Sequence, residues 1–450
     1  MTQRIFRRAT MVVAAAMLAA LAMAGVAGAH SGNQGYVYLD IFDSTIEGEI
    51  HYVVADLNEV LGLEIPMDPE GAAAWAEANP EAIHAYSADH IAMSDLNRTQ
   101  WSISFGGFDG LEGVDGAYLI VEFAVDREFV EVPRQFVVTY DAIIHAMPER
   151  DALLAIATDF GSGTFNNEAD TLLRYIADDT TQTVDLGDTS FWSGVTGVIA
   201  LGVEHIRIGT DHILFVVALV LPAVLIFVRP TGWQAAPTFG SSLWRVLKIV
   251  TMFTVAHTIT LTLGGLGIIE LPPALVETVI AISIILAALH NIRPVFVNKE
   301  WMIAFGFGLV HGFGFAGLLS DLGLTQARQF VSLLGFNLGI ELGQAVIILL
   351  IFPALYLARR TRAYLPAMYI GSGLLIVIAA TWAIERSLGV DLGTEWIFVR
   401  VSVWPRQLIF VALAYLLAVA AYWYDQSNGR LLPLPSDVET SSSAVGVSEA

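Results

Sequence analysis

Beyond Phe191 the chain carries a succession of apolar runs, each around 18 to 25 residues long and bounded by proline, glycine or charge. About 20 consecutive apolar residues is the length at which an α-helix crosses a bilayer, and a helix satisfies its own backbone where no water can. Seven such runs are read: Gly209–Val228, Val246–Ile268, Pro273–Ile292, Trp301–Ser320, Phe330–Ala358, Pro366–Glu385 and Pro405–Tyr424. They predict an all-α polytopic membrane bundle of about seven transmembrane helices, with lipid as its surroundings. A composition of 55% hydrophobic and 15% charged residues agrees, because soluble globular chains carry more charge. The formal charge of −22 removes nucleic acid as a partner, since no excess of cations is present to displace counterions from phosphate. With no cysteine, disulfides, thiolate metal sites and thiol nucleophiles are excluded, so any metal is held by N and O ligands.

The residues before the bundle have a different character. Arg4, Arg7 and Arg8 precede an apolar stretch from Met11 to about Ala24 and the small residues Ala27-Gly28-Ala29, which reads as a signal peptide over 1–29. Residues 30–190 hold 30 Asp+Glu against five Arg and alternate apolar with polar residues at Tyr36–Ile41 and Glu49–Val54. Alternation of period two marks half-buried strands, and Gln100–Phe105, Ala117–Val125 and Gln135–Thr139 are further candidates. Asp68–Met93 is Ala-rich with helical spacing. An acidic, exported, β-sandwich-like domain with a helical insertion is therefore expected ahead of the transmembrane domain at 191–425. Arg229, Arg245, Lys248, Arg293, Lys299, Arg359, Arg360 and Arg362 fall in or beside alternate connections, which by the positive-inside rule are cytoplasmic. The expected location is a bacterial inner membrane, with the first domain outside and an unpatterned tail, 426–450, inside.

Function is most legible in ionisable residues that a membrane should exclude, because a charged side chain near the bilayer centre costs about 2.5–3.5 kcal/mol or more. His205, Asp211 and His212 stand where the first run begins. The apolar stretch from Val195 to Val228 is too long for one untilted crossing, so a short helix ending near Gly209 is expected, with a bend that gathers Asp211 and both imidazoles. His257 lies mid-way in the second run with Thr254 and Thr258 on its face, and His311 lies mid-way in the fourth among glycines. In the fifth, Asn337, Glu341 and Gln344 are spaced i, i+4 and i+7 on one face, while Gly335, Gly339 and Gly343 offer a close-packing surface on the other. Glu277 sits near the end of the third. Imidazoles with carboxylates suit a divalent transition metal, nickel, cobalt, zinc or copper. Packing of lone histidines, helix capping and interhelical hydrogen bonding are the competing readings. If cleavage follows Ala29, His30 becomes an amino-terminal chelate and an accessory metal site.

His205-x5-Asp211-His212 resembles the first-span signature of the HupE/UreJ family, bacterial membrane proteins regarded as nickel or cobalt permeases. The resemblance covers about Phe191 to Glu385 and implies a metal permease. The family's mid-bundle Phe-His-Gly-x-Ala-His-Gly-x-Glu motif is matched at Gly308, His311 and Gly312, whereas Phe307 replaces its first His and Gly314 its Glu. His257 and Glu341 are candidates for the missing ligands, in a divergent branch with an exported domain. No Gly-x4-Gly-Lys-Ser/Thr loop occurs, so movement of an ion would be that of a secondary permease or channel or need a separate motor subunit. A periplasmic metal-delivery protein is a partner such a route admits. Two alternatives stay open. One is an intramembrane metal-dependent hydrolase using His205, Asp211, His212 and His311, with Ser283 or Ser320 assisting; the other is a metal-sensing or scaffolding receptor. Oligomeric state is not legible.

Overall fold

The computed structural model describes residues 34–113, 116–165, 171–269, 271–315, 326–390, 392–393 and 406–434. The expected signal peptide, His30, Ser320 and the end of the expected tail lie outside the described residues. Two compact units divide near residues 201 and 202, with the short stretch before Leu333 grouped with the first.

The first unit is β-rich. Strands β1 (Gly35–Ile41) and β2 (Ile46–Val53) form a hairpin, followed by the helices α1 (Val54–Leu61), α2 (Pro69–Ala78) and α3 (Pro80–His90) and strand β3 (Ile91–Ser94). Then come β4 (Ile103–Gly113), β5 (Gly116–Val125), β6 (Gln135–Tyr140), β7 (Ala152–Asp159), β8 (Thr164–Phe165), β9 (Thr171–Tyr175) and β10 (Thr181–Asp185). The larger sheet runs β4-β5-β2-β1-β7-β8, with β9 also on β7, and the smaller runs β10-β6-β3. β1 and β7 pair in parallel, although the sequence gives β7 no alternation because it is buried on both faces. Val37, Leu39, Ile50 and Tyr52 of one sheet share a core with Phe136, Val138, Tyr140 and Val184 of the other. The expected insertion is present as α2 and α3. Asp68 caps α2, its Oδ1 accepting from Gly71 N at 2.7 Å, and Pro69 and Pro80 start the two helices where no N–H is needed.

The second unit is helical: the end of α4 (Phe191–Ile208), then α5 (Thr210–Val220), α6 (Phe239–Gly265), α7 (Pro273–Ile292), α8 (Glu300–His311), a 3₁₀ turn (Gly312–Phe315), α9 (Gln326–Ala358), α10 (Tyr364–Leu388) and α11 (Arg406–Ser427). Among the described residues five helices, α6, α7, α9, α10 and α11, are long and apolar enough to cross a membrane. Two of the seven expected runs, the first and the fourth, are not among these five. The first expected span, Gly209–Val228, is an 11-residue helix followed by a hairpin of β11 (Leu225–Val228) and β12 (Gly232–Ala235). Leu-Ile-Phe-Val is as good a strand as a helix, and Pro230-Thr231-Gly232 turns the chain back. The fourth expected span is a 12-residue helix that stops at His311. Of these half-length helices, α8 ends at His311 and α5 begins two residues before His212. Such broken helices are tolerated where their ends are buried in protein or line a cavity.

The expected small-residue face of α9 is used for packing. A Cβ at Gly202 of α4 would lie 2.1 Å from Phe336 O and 3.0 Å from Gly339 Cα, and one at Gly343 would meet Ile206 at 3.0 Å.

Candidate metal site in the helix bundle

The site begins at the break between α4 and α5. Gly209 is extended (φ −66°, ψ 100°) but still donates to His205 O at 2.8 Å, so the chain turns sharply within one residue. His205 and His212 come together edge to face, with ring centres 4.7 Å apart. No side chain fits at 209: a Cβ there would stand 2.6 Å from His205 O and 3.2 Å from His212 Nδ1.

Helix α6 supplies His257 and α8 supplies His311. The two helices are seated backbone to backbone, since a Cβ at Gly312 would fall 2.4 Å from His257 O and 2.2 Å from Thr260 Oγ1. His212 is then 6.1 Å from His257 and 5.7 Å from His311 between ring centres. All three rings are buried, at 3%, 0% and 2% exposure.

Each of these rings is held through Nδ1. His212 Nδ1 lies 3.0 Å from Asp211 Oδ1, His257 Nδ1 3.0 Å from Asn337 Oδ1, and His311 Nδ1 2.9 Å from Phe307 O. The Asn337 amide is oriented by its own Nδ2, which donates to Leu333 O at 2.7 Å. All three partners are acceptors, so each neutral imidazole carries its proton on Nδ1 and leaves a lone pair on Nε2. The Nε2 atoms of His212, His257 and His311 are buried and have no hydrogen-bond partner among the described residues. A buried polar atom left so costs about 1–3 kcal/mol, and here it happens three times in one cluster. An outer acceptor on one ring nitrogen with the other exposed to a ligand is the usual arrangement of a metal-binding histidine.

Among the described residues no three His, Asp or Glu side chains already converge as a metal site. The spacing is nonetheless close to one. Two imidazoles sharing a tetrahedral ion at roughly 2.0–2.1 Å have ring centres about 5 Å apart, within about 1 Å of the His212–His257 and His212–His311 separations, so the rings must move to close on an ion.

The other expected site residues lie apart from this cluster in differing degrees. Asp211 approaches through His212. Glu341 accepts from Thr251 Oγ1 at 2.5 Å, and Gln344 Oε1 accepts from Thr254 Oγ1 at 3.3 Å, so these continue a polar line between α6 and α9 beyond the His257–Asn337 pair. Thr258 donates to Thr254 O at 2.7 Å in its own helix. Glu277 pairs with Arg386 at 3.0 Å, joining α7 to α10. Ser283 likewise donates within its helix, to Ile280 O at 2.7 Å. Sequence reasoning missed the phenyl rings against the cluster. Phe253 stands 4.9 Å from His311 and 6.0 Å from His257, and Phe215 stands 5.4 Å from His311. The signal was available: Phe253 and Phe307 each precede a histidine by four residues, and Phe215 follows His212 by three.

Residues 180–386 match the family model described as HupE / UreJ protein. Over this stretch the chain is HupE/UreJ-like. The HupE/UreJ-like stretch includes all four clustered histidines, Asp211, Asn337 and Glu341, and excludes most of the β-rich unit and α11. At the departure from the expected motif, Phe307 sets a phenyl ring 6.0 Å from that of Phe215 where the motif has an imidazole. No curated protein matches the chain.

Proposed function

We propose that the protein is a membrane permease for a divalent transition-metal ion, with nickel, cobalt, zinc and copper as the candidate cargoes. One observation carries the reading: three buried imidazoles, each fixed through Nδ1, leave three Nε2 lone pairs in the same cluster without partners among the described residues. The HupE/UreJ likeness supports it, since that resemblance implies nickel or cobalt handling. His212, His257 and His311 are the ligands, His205 stands beside them, and Asp211 and Asn337 orient the rings. Glu341, with Thr251 and Gln344, is a separate oxygen-lined station along the path. Ligands that must shift to close on the ion favour a carrier, which has to bind firmly enough to strip water and loosely enough to release.

The excess of Lys and Arg in alternate connections supports an inner-membrane orientation with the acidic β-rich domain outside, where its charge would concentrate cations. On the same reading the stretch 1–29 is a removed signal peptide and His30 an accessory chelate.

The test is uptake of radioactive nickel, cobalt, zinc and copper into proteoliposomes, comparing the native chain with His212→Ala and His257→Ala. Saturable uptake of at least one ion, lost in both variants, is expected. Uptake that persists in both variants overturns the proposal.

A further inference from the structure

Below the imidazoles the bundle is layered, and the same order of side chains recurs on three helices. On α6, His257 is followed at successive turns by Phe253, Ile249 and Arg245; on α8, His311 is followed by Phe307, Ile303 and Glu300. On α5, running the opposite way along the chain, His212 is followed by Phe215 and Leu219. Four residues advance a helix by about 6 Å and return nearly to the same face, so each helix shows the layers to the same side.

The three phenyl rings meet. Phe215 is 4.8 Å from Phe253 and 6.0 Å from Phe307 between ring centres, and both Phe215 and Phe253 are fully buried. On the far side of this layer lies a cavity of about 70 Å³, bordered by Leu219, Ile249, Ile303, Arg245, Glu300 and Phe307. That is room for a handful of waters. Phe307 borders the cavity with its side chain and holds His311 with its carbonyl. The imidazole layer and the cavity are thus separated by one sheet of phenyl rings backed by aliphatic side chains.

We propose that Phe215, Phe253 and Phe307 form a hydrophobic gate that closes the imidazole site from this cavity, and that the cavity is the chamber an ion enters on leaving the imidazoles. The assignment rests on the permease reading. A hydrated ion cannot pass a dry aromatic constriction, so the rings must part before release, and a shift of α8 moves Phe307 and His311 together. Arg245 at the chamber end donates through Nη2 to Ala223 O at 2.9 Å and to Leu225 O, holding the β11–β12 hairpin at the chamber.

Because the chain has no cysteine, single thiols report access cleanly. Ile303→Cys, on the chamber side, and His311→Cys, in the imidazole layer, are reconstituted and treated with a small membrane-impermeant thiol reagent from each face of the vesicle. The Ile303→Cys thiol reacts from one face. From that face the His311→Cys thiol reacts at least about tenfold more slowly, and adding Phe215→Ala or, separately, Phe307→Ala removes most of the difference. Retained reactivity of the Ile303→Cys thiol in these backgrounds shows that the fold persists. The proposal is overturned if the Ile303→Cys thiol reacts from neither face, if the His311→Cys thiol reacts equally fast with all three phenyls present, or if neither alanine changes its rate. Access is read without ion flux, so a gate that behaves as expected in a chain showing no uptake removes the permease reading alone.

Discussion

His257 Nδ1 donates to Asn337 Oδ1 across 3.0 Å, and Asn337 is locked in that sense because its Nδ2 donates to Leu333 O at 2.7 Å. The pair joins α6 to α9 and fixes which nitrogen of the ring faces the cluster. Asn337→Leu is therefore expected to weaken binding of zinc or nickel about 10–100-fold, as loss of an outer partner of a ligating histidine typically does. Asn337→Asp, which keeps the acceptor, is expected to restore most of it. Isothermal titration of the two variants in detergent decides; equal affinity in native protein and Asn337→Leu would falsify the positioning role.

Gly312→Ala places a methyl 2.4 Å from His257 O. Overpacking of this kind costs roughly 1–3 kcal/mol and pushes α8 off α6. The expected result is a lower thermal midpoint together with a loss of ion affinity, since His257 and His311 are displaced from each other. Gly306→Ala, at a position of α8 open to space, is the control and leaves both unchanged.

In the β-rich unit Asp40 and Glu47 face each other across β1 and β2. Burial raises the Asp40 carboxyl above its ordinary 3.8, with Glu49 adding to it; burial followed by Asp40 and Glu122 raises Glu47 above 4.5. A carboxyl raised in the folded state favours folding most at pH below its unfolded value, and that advantage is lost as pH rises through the folded value. Asp40→Asn and Glu47→Gln are therefore expected to raise the thermal midpoint at pH 7 by about 2–4 °C, with the gain shrinking as pH falls toward 4. A gain that grows on acidification contradicts this. The same carboxylate repulsion predicts a higher midpoint in added salt.

Asp159, only 2% exposed, accepts from Arg134 Nη1 at 3.0 Å and Nη2 at 2.6 Å and from the amides of Gly161 and Ser162. Arg134→Met leaves that buried carboxylate without its guanidinium partner, which costs roughly 3–5 kcal/mol. Urea unfolding of the β-rich unit, followed by tryptophan fluorescence, is expected to show it. Replacing both residues, Arg134→Met with Asp159→Leu, is expected to recover much of the loss.

The pattern of what was legible follows from what hydropathy can register. The interruption near Gly209 could be read because 34 apolar residues exceed a bilayer's thickness, and the structure breaks the helix there. The ends of α5 and α8 could not be read, because an apolar residue after a half-length helix resembles one that continues it. The β11–β12 hairpin was hidden in the same way. Asn337, Glu341 and Gln344 do lie along one side of α9, yet periodicity carries no information on the partner helix, and Glu341 meets Thr251 instead of an imidazole. The convergence of His212, His257 and His311 depends on tertiary packing through Gly308 and Gly312. Only the structure reveals that each Nδ1 is already taken.

The most direct measurement is X-ray absorption at the metal edge of the full chain loaded with one equivalent of zinc. The account predicts a first shell with three imidazole nitrogens at about 2.0–2.1 Å, reduced by one in each of His212→Ala, His257→Ala and His311→Ala. A shell of oxygens alone, or a histidine count unchanged by these substitutions, contradicts it.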